Sequence, residues 1–364
     1  MTWKTRLLIR ESTFTSAAFT SAVYFYYMIA FWGVQDHFIE GPMRDYMNSR
    51  AVHLELLLGG ILIGGLIGII NRFIETPRLR KRPFGQVVLI RTVLYLVSIS
   101  VVFGVIILLF VTLIQSREVM SDLIQDSNPH YWWSSVIYFV LVVGAINFAL
   151  EIERIVGPGN LWRLFIGSYR RPRDEERVFL FMDLKGSTAS AEELGHQRYS
   201  EFLQECYRDL TQVIIRYEAS IYQFVGDEVV MSWLRTDRTE RKRTSVQAFF
   251  AYQNVLMEKK EEYELRFGMA PEFRGSIDAG AVTVIEIGDV KREIAYHGDV
   301  LNTAARLLEL CKQRGERFVV SRTVGEAVEH ETEVCAIWHE GILLRGKSEQ
   351  IEAYSLKWAD KVPC

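Results

Sequence analysis

Long apolar stretches fill the first half of the chain and short ones the second. Four runs, over approximately 13–34, 51–71, 87–114 and 132–150, are each long enough to cross a bilayer, which takes about 20 apolar residues. The third, VVLIRTVLYLVSISVVFGVIILLFVTLI, is the most apolar, while Ser, Thr, Tyr and Trp dilute the first and fourth. The first is longer than the apolar core of a signal peptide, and no small-residue cleavage pattern clearly ends it. Beyond the fourth run the pattern shortens to that of a soluble domain. VFLFMDL (178–184) reads as a strand and 191–219 carries helical periodicity. SIYQFV and EVVMSWL read as two strands joined by a turn at Gly226–Asp227, followed by a helix over about 239–264. EFRGSIDAGAVTVIEIG is strand-like, GDVLNTAARLLELCKQRG helical, and RFVVS, a short helix and two strands (334–344, 349–357) close the chain. The order begins β–α–β–β–α–β, which predicts a ferredoxin-like α+β sandwich.

The reading is therefore an N-terminal all-α transmembrane four-helix domain (1–150), a linker (151–177) and a C-terminal α+β domain (178–364). The 364 residues suit two to three domains, and the average hydropathy of +0.07 conceals the contrast between halves. A net charge of −3 offers no footprint for nucleic acid. The cysteines, Cys206, Cys311, Cys335 and Cys364, are widely spaced with no CxxC pair, which indicates neither a zinc site nor a disulfide framework and fits a reducing compartment.

Lys and Arg set the expected orientation. Residues 1–12 hold Lys4, Arg6 and Arg10, the 72–85 loop holds Arg72, Arg78, Arg80, Lys81 and Arg82, and the linker holds Arg154, Arg163, Arg170, Arg171 and Arg173. The 35–50 and 115–131 loops carry only Arg44, Arg50 and Arg117. Both termini are expected in the cytoplasm of a multi-pass protein of the inner (plasma) membrane. Gly59, Gly60, Gly64, Gly65 and Gly68 lie at helix-packing spacing in the second run, within one subunit or between two. His37, His53, Glu55 and His130 cluster toward the outer ends, as a ligand set or as an ordinary wet helix end. In the linker, Gly157–Pro158–Gly159 must interrupt a helix. LWRLFIG after it is a short amphipathic piece, for the membrane surface through Trp162 and Phe165 or for the domain that follows.

The α+β half carries the candidate chemistry. Asp183 ends an apolar strand and Asp227 sits in a tight turn. If their strands are neighbours, the two carboxylates meet at one sheet edge, and such a pair suits Mg²⁺, which completes its shell from water and substrate phosphates. Taken alone, Asp227 reads as readily as a turn residue. Asn302 and Arg306 are four apart on one helix face, an amide and a guanidinium suited to an oxyanion on phosphorus, or a capping Asn and a surface Arg.

Five segments together resemble the class III nucleotidyl cyclases, the adenylate and guanylate cyclases, over about 178–357: FMDLKGST, FVGDEVV, FRGSIDAG, GDVLNTAARL and LLRGK. The resemblance implies that Asp183 and Asp227 hold two Mg²⁺ or Mn²⁺ ions per site. It implies that Asn302 orients the ribose, Arg306 stabilises charge at the α-phosphorus, Arg274 contacts the triphosphate, and Arg345 or Lys347 reaches the distal phosphates. It also implies a head-to-tail homodimer in which one subunit supplies the metals and the other the Asn–Arg helix. Two base-pocket positions depart from the family pattern. Gln223 stands where adenylate cyclases usually carry Lys and guanylate cyclases Glu, and Ala295 where Asp, Thr or Cys is usual. A glutamine amide both donates and accepts, so the base stays open. The expectation is a membrane-anchored adenylate cyclase acting on ATP; the alternatives are a guanylate or pyrimidine cyclase, or a nucleotide-binding membrane sensor without turnover.

Overall fold

The computed structural model describes residues 3–32, 49–74, 82–114, 129–157, 160–234, 239–331, 334–343 and 350–358. The chain divides into two compact units, Met1–Val156 and Gly157–Cys364.

The first unit holds four long helices: α1 (Trp3–Trp32), α2 (Arg50–Ile74), α3 (Phe84–Ile114) and α4 (Pro129–Val156). Three contain windows apolar enough to cross a membrane, Val52–Ile70, Gly85–Val102 and Trp133–Glu153. Most of each window faces outward, and Leu58, Leu62, Leu89, Val97, Ile137 and Leu141 are exposed. Outward apolar faces are at home in lipid. The expected first span falls within α1, where no such window occurs among the described residues, because hydroxyl and phenol groups lower its hydropathy. A small core of Phe19, Ile63, Ile67, Tyr95 and Val143 joins the helices. The glycine stripe of α2 packs on α1 of the same chain: a Cβ on Gly60, Gly64 or Gly68 would run into Thr20, Ser16 or Ser12. Thr15 Oγ1 donates to Gly64 O across the seam at 3.3 Å. Arg91 on α3 pairs with Glu151 on α4 at 2.8 Å, and Asn147 Nδ2 donates to Thr92 Oγ1 at 3.2 Å.

The second unit begins with a one-turn helix, α5 (Asn160–Phe165), and β1 (Arg173–Leu184). Then follow α6 (Ser187–Arg216), β2 (Ser220–Val225), β3 (Glu228–Leu234), α7 (Glu240–Glu258), α8 (Lys260–Phe267) and β4 (Phe273–Ile287). β5 (Glu293–His297), α9 (Asp299–Arg314), β6 (Phe318–Ser321), α10 (Arg322–Val328), β7 (Val334–Leu343) and β8 (Gln350–Trp358) complete it. The strands form one sheet in the order β2-β3-β1-β4-β6-β8-β7, with β5 paired to β4. Its first four strands, β2-β3-β1-β4, are mutually antiparallel, the arrangement expected of a ferredoxin-like βαββαβ unit.

Both faces of β1 are covered, so Arg177 through Leu184 are all buried and the strand reads as a continuous apolar run. One face packs against α6, α7 and α10 through Phe202, Phe249, Phe250 and Val324. The other gathers Phe179, Phe181, Val282 and Val284 against Val300, Ala304 and Leu308 of α9. Arg177, buried in β1, is held by Glu175 at 2.7 Å and Ser232 at 3.2 Å, over the Tyr296 ring at 4.6 Å.

Three local features differ from the sequence reading. The helix expected over about 239–264 breaks at Lys259, whose ammonium turns to Asp209 at 2.6 Å. β5 is a strand that its short, charged sequence does not announce. Cys206 and Cys311 are buried free thiols, but Cys335 is disulfide-bonded, against the expectation of reduced cysteines throughout.

Candidate active site

The β1–β3 ladder decides the geometry. Asp183 pairs with Glu228 in register, and Asp227 precedes Glu228 in the turn that links β2 and β3. Gly226 opens that turn at φ 61°, a left-handed conformation that suits glycine. Asp183 and Asp227 thereby meet at one sheet edge, where the Asp227 charge acts on the Asp183 carboxyl. On the other flank of β1, Asp183 pairs with Arg274 of β4, and paired residues project from the same sheet face.

Asp183 is nearly fully buried, and burial pushes its carboxyl above the usual carboxylate range. A hydrogen bond from Lys312 pulls it back, and the neighbouring Asp227 charge raises it again. Glu228 is also raised, first by burial and then by Asp183. The edge is thus a crowd of carboxylates short of positive charge, with Lys312 Nζ of α9 at 2.6 Å from Asp183 Oδ2 standing where a cation is wanted.

Two tyrosines of α6 line the same edge. Burial, with the Asp227 charge adding, pushes the Tyr199 hydroxyl up to about 12. Tyr207 is raised in the same way and donates to Gly226 O at 3.2 Å, bracing the turn. Between β1 and α6, Gly186 is left-handed at φ 72° and α6 starts at the next residue. Its N-terminal amides begin four residues after Asp183, a placement that favours anions. Lys185 is tied to Glu272 at 2.8 Å.

Among the described residues no group of three or more His, Cys, Asp or Glu side chains is set to hold a metal. The donor set at the Asp183–Asp227 pair is two carboxylates, which fits a hard divalent cation that takes further oxygens from water and phosphate.

The other expected residues lie elsewhere. Asn302 is exposed and Arg306 half-buried, one turn apart on α9. At about 1.5 Å per residue, they stand about 15 and 9 Å back along the helix axis from Lys312, the α9 side chain that reaches Asp183. Gln223 is exposed on edge strand β2, and Ala295 is buried on β5. Their sequence neighbours Tyr222 and Tyr296 touch, with ring centroids 4.9 Å apart, which draws the two strands together. Arg345 and Lys347 lie outside the described residues, as does His37. In the first unit, His53 stacks on Tyr24 at 5.8 Å and meets the Tyr27 edge at 5.7 Å, helix-packing contacts with α1.

Lys312, Tyr199, Tyr207 and Glu228 are site residues that the motifs did not single out. Helical periodicity assigns a face to the first three, and only the register of β1 on β3 shows which loop lies across from it.

No family model matches the chain. A curated relative, adenylate cyclase 2 of Rhizobium meliloti (strain 1021), is 33% identical over 186 residues, which are 51% of this chain and 51% of the relative. The chain is similar to a nucleotidyl cyclase. It spans about half the length of this curated relative. Solved structures that resemble part of it include a bacterial light-regulated adenylyl cyclase, with TM-score 0.49, 18% identity, and 60% and 64% of the two chains covered. Another is the adenylyl cyclase CyaB from P. aeruginosa, with TM-score 0.46, 18% identity, and 51% and 96% covered. The cyclase resemblance carried by five short motifs thus recurs along an alignment much longer than any of them.

Proposed function

We propose that the second unit is the catalytic domain of a membrane-anchored adenylate cyclase, which converts ATP to 3′,5′-cyclic AMP and pyrophosphate. The observation that carries this reading is the convergence of Asp183 and Asp227 at one end of the sheet, apart from the Asn302–Arg306 face. The ribose 3′-oxygen bonds to the α-phosphorus as the bond to pyrophosphate breaks, and the hydroxyl proton leaves to solvent. Two Mg²⁺ or Mn²⁺ ions held by Asp183 and Asp227 would offset the triphosphate charge and favour the ionised 3′-oxygen. Arg274, on the same sheet face as Asp183, holds triphosphate oxygens. Asn302 orients the ribose, and Arg306 donates to the oxygens of the α-phosphorus as charge builds there.

Because Asn302 and Arg306 lie along α9 away from their own carboxylate pair, two chains complete each site, and a head-to-tail homodimer holds two sites. The three apolar windows support a membrane anchor. We read four spans, α1 being the fourth, in a plasma membrane with both termini cytoplasmic. ATP is favoured by the 33% identity to a relative named adenylate cyclase. Gln223 is able to face either purine.

The test uses the full chain in detergent or nanodiscs with Mn²⁺ and each of the four nucleoside triphosphates. Cyclic AMP as the main product is expected, and cyclic GMP or a cyclic pyrimidine product would reassign the base. Nucleotide binding without pyrophosphate release would leave a sensor in place of an enzyme. Asp183→Ala and Asp227→Ala should each abolish turnover. Mixing Arg306→Ala with Asp227→Ala should restore part of it, since a mixed dimer has one intact site, and no recovery would count against shared sites.

A further inference from the structure

Immediately after α4, three large apolar side chains face outward. Trp162 is 65% exposed, Phe165 80% and Ile166 55%. Trp162 and Phe165, one turn apart on α5, stack with ring centroids 5.7 Å apart and 21° between planes. This piece is fastened to the second unit. Arg163 Nη1 donates to Tyr169 Oη at 3.0 Å, and that hydroxyl donates to Glu175 Oε1 at 3.0 Å. Tyr169 is buried in the core cluster under α9, and its carbonyl accepts the Glu286 N–H at 2.8 Å. Ser168 N–H closes back on Arg163 O at 2.9 Å. A fixed element that leaves an aromatic pair and an isoleucine in the open calls for a covering surface.

We propose that this surface is the lipid bilayer: Trp162, Phe165 and Ile166 enter the boundary between headgroups and acyl chains, and Arg170, Arg171 and Arg173 lie against anionic headgroups. This rests on the membrane reading of the first unit. Three observations favour lipid as the occupant. Four peptide steps join Val156, the end of the helix that carries the window Trp133–Glu153, to Asn160. Fully extended, they reach about 14 Å, so α5 cannot leave the neighbourhood of the membrane surface. Trp and Phe beside a cationic segment are the side chains of interfacial anchors. The three arginines are exposed in the next eight residues after Phe165, which complements anionic lipid. The acidic residues that follow are partly engaged: Glu175 holds Tyr169 and Arg177, and Asp174 accepts from Thr283 Oγ1 at 2.7 Å.

The test is quenching of Trp162 by brominated lipid. The full chain is reconstituted into vesicles of phosphatidylcholine with phosphatidylglycerol, made with or without bromine near the headgroup end of the acyl chains. The Trp162 signal is the difference between the wild type and Trp162→Phe. The expected result is a blue-shifted difference spectrum that bromine quenches, with quenching reduced in Arg170→Gln/Arg171→Gln/Arg173→Gln and in vesicles of phosphatidylcholine alone. A red-shifted, unquenched spectrum means an aqueous Trp162 and overturns the proposal. A blue-shifted but unquenched one means a protein surface, such as a second copy, and overturns it equally. Quenching that ignores both the arginines and the lipid charge removes the headgroup half. A chain that fails to enter vesicles at all sinks the membrane reading as well, whereas one that enters with Trp162 unquenched sinks only the docking of α5.

Discussion

Lys312 Nζ, on the last turns of α9, lies 2.6 Å from Asp183 Oδ2, at the carboxylate pair proposed to hold divalent cations. The ammonium stabilises a carboxylate that burial and Asp227 both disfavour, and an incoming cation must compete with it. Lys312→Met should therefore strengthen Mn²⁺ binding in the absence of nucleotide. The side chain is 43% exposed, and such pairs are worth at most about 1 kcal/mol, so the expected gain is about two- to fivefold. Electron paramagnetic resonance titration of free Mn²⁺ reads this without turnover. Unchanged or weaker binding would show that Lys312 does not occupy the cation's place.

Tyr207 braces the other half of the pair by donating to Gly226 O at 3.2 Å, its ring against Phe224 at 4.6 Å. Tyr207→Phe keeps the ring and removes the donor. One hydrogen bond of this kind contributes about 0.5–1.5 kcal/mol, and the turn that aims Asp227 should loosen accordingly. Mn²⁺ affinity is expected to fall about two- to tenfold with circular dichroism unchanged. An unaltered titration would deny the turn any dependence on Tyr207.

Neighbouring glycines of α2 offer an internal control for the first unit. A Cβ on Gly64 would strike the Ser16 backbone, whereas one on Gly65 meets nothing within 4 Å. Gly64→Val should destabilise the α1–α2 seam by about 1–3 kcal/mol, the usual cost of overpacking. Gly65→Val should be close to neutral. Thermal unfolding in one detergent separates them, and equal loss in both would place the seam elsewhere.

Glu272 gives a pH dependence of definite sign. Partial burial alone would raise its carboxyl, but hydrogen bonds from Lys185 and Arg317 outweigh that and hold it below the ordinary glutamate value. A carboxyl held low in the folded chain adds stability at pH above its unfolded pKa, and the contribution fades as pH falls through the lowered value. The group is about a third exposed and its partners about half, so solvent limits the effect to about 1 kcal/mol. Melting temperatures of wild type and Glu272→Gln should differ near neutral pH and converge on acidification. A gap that is constant or widens in acid would overturn the assignment.

Much of this protein is written in one-dimensional pattern. Apolar runs longer than any globular strand requires mark the first unit, and the β–α–β–β–α–β order with alternating or fully apolar strands marks the second. Asp183 and Asp227 were legible as a pair because each stands at an identifiable strand end or turn, and the chemistry of paired acids is a property of the residues themselves. The expected span over α1 finds no sufficiently apolar window among the described residues, because its hydroxyls and phenols blunt the hydropathy that signals a membrane. The pairing of β1 with β3, which sets Asp183 opposite Glu228, is fixed by ladder hydrogen bonds between segments more than forty residues apart. No local periodicity encodes such a register. Lys312 and Tyr207 likewise became part of the edge only when α9 and α6 settled on the sheet. A helix face declares its polarity in sequence, but the partner it meets is chosen by packing across the whole domain. The outward aromatic pair of α5 was legible as amphipathic; that Arg163 and Tyr169 pin it so firmly was decided in three dimensions, since a buried hydroxyl linking two segments leaves no periodic mark.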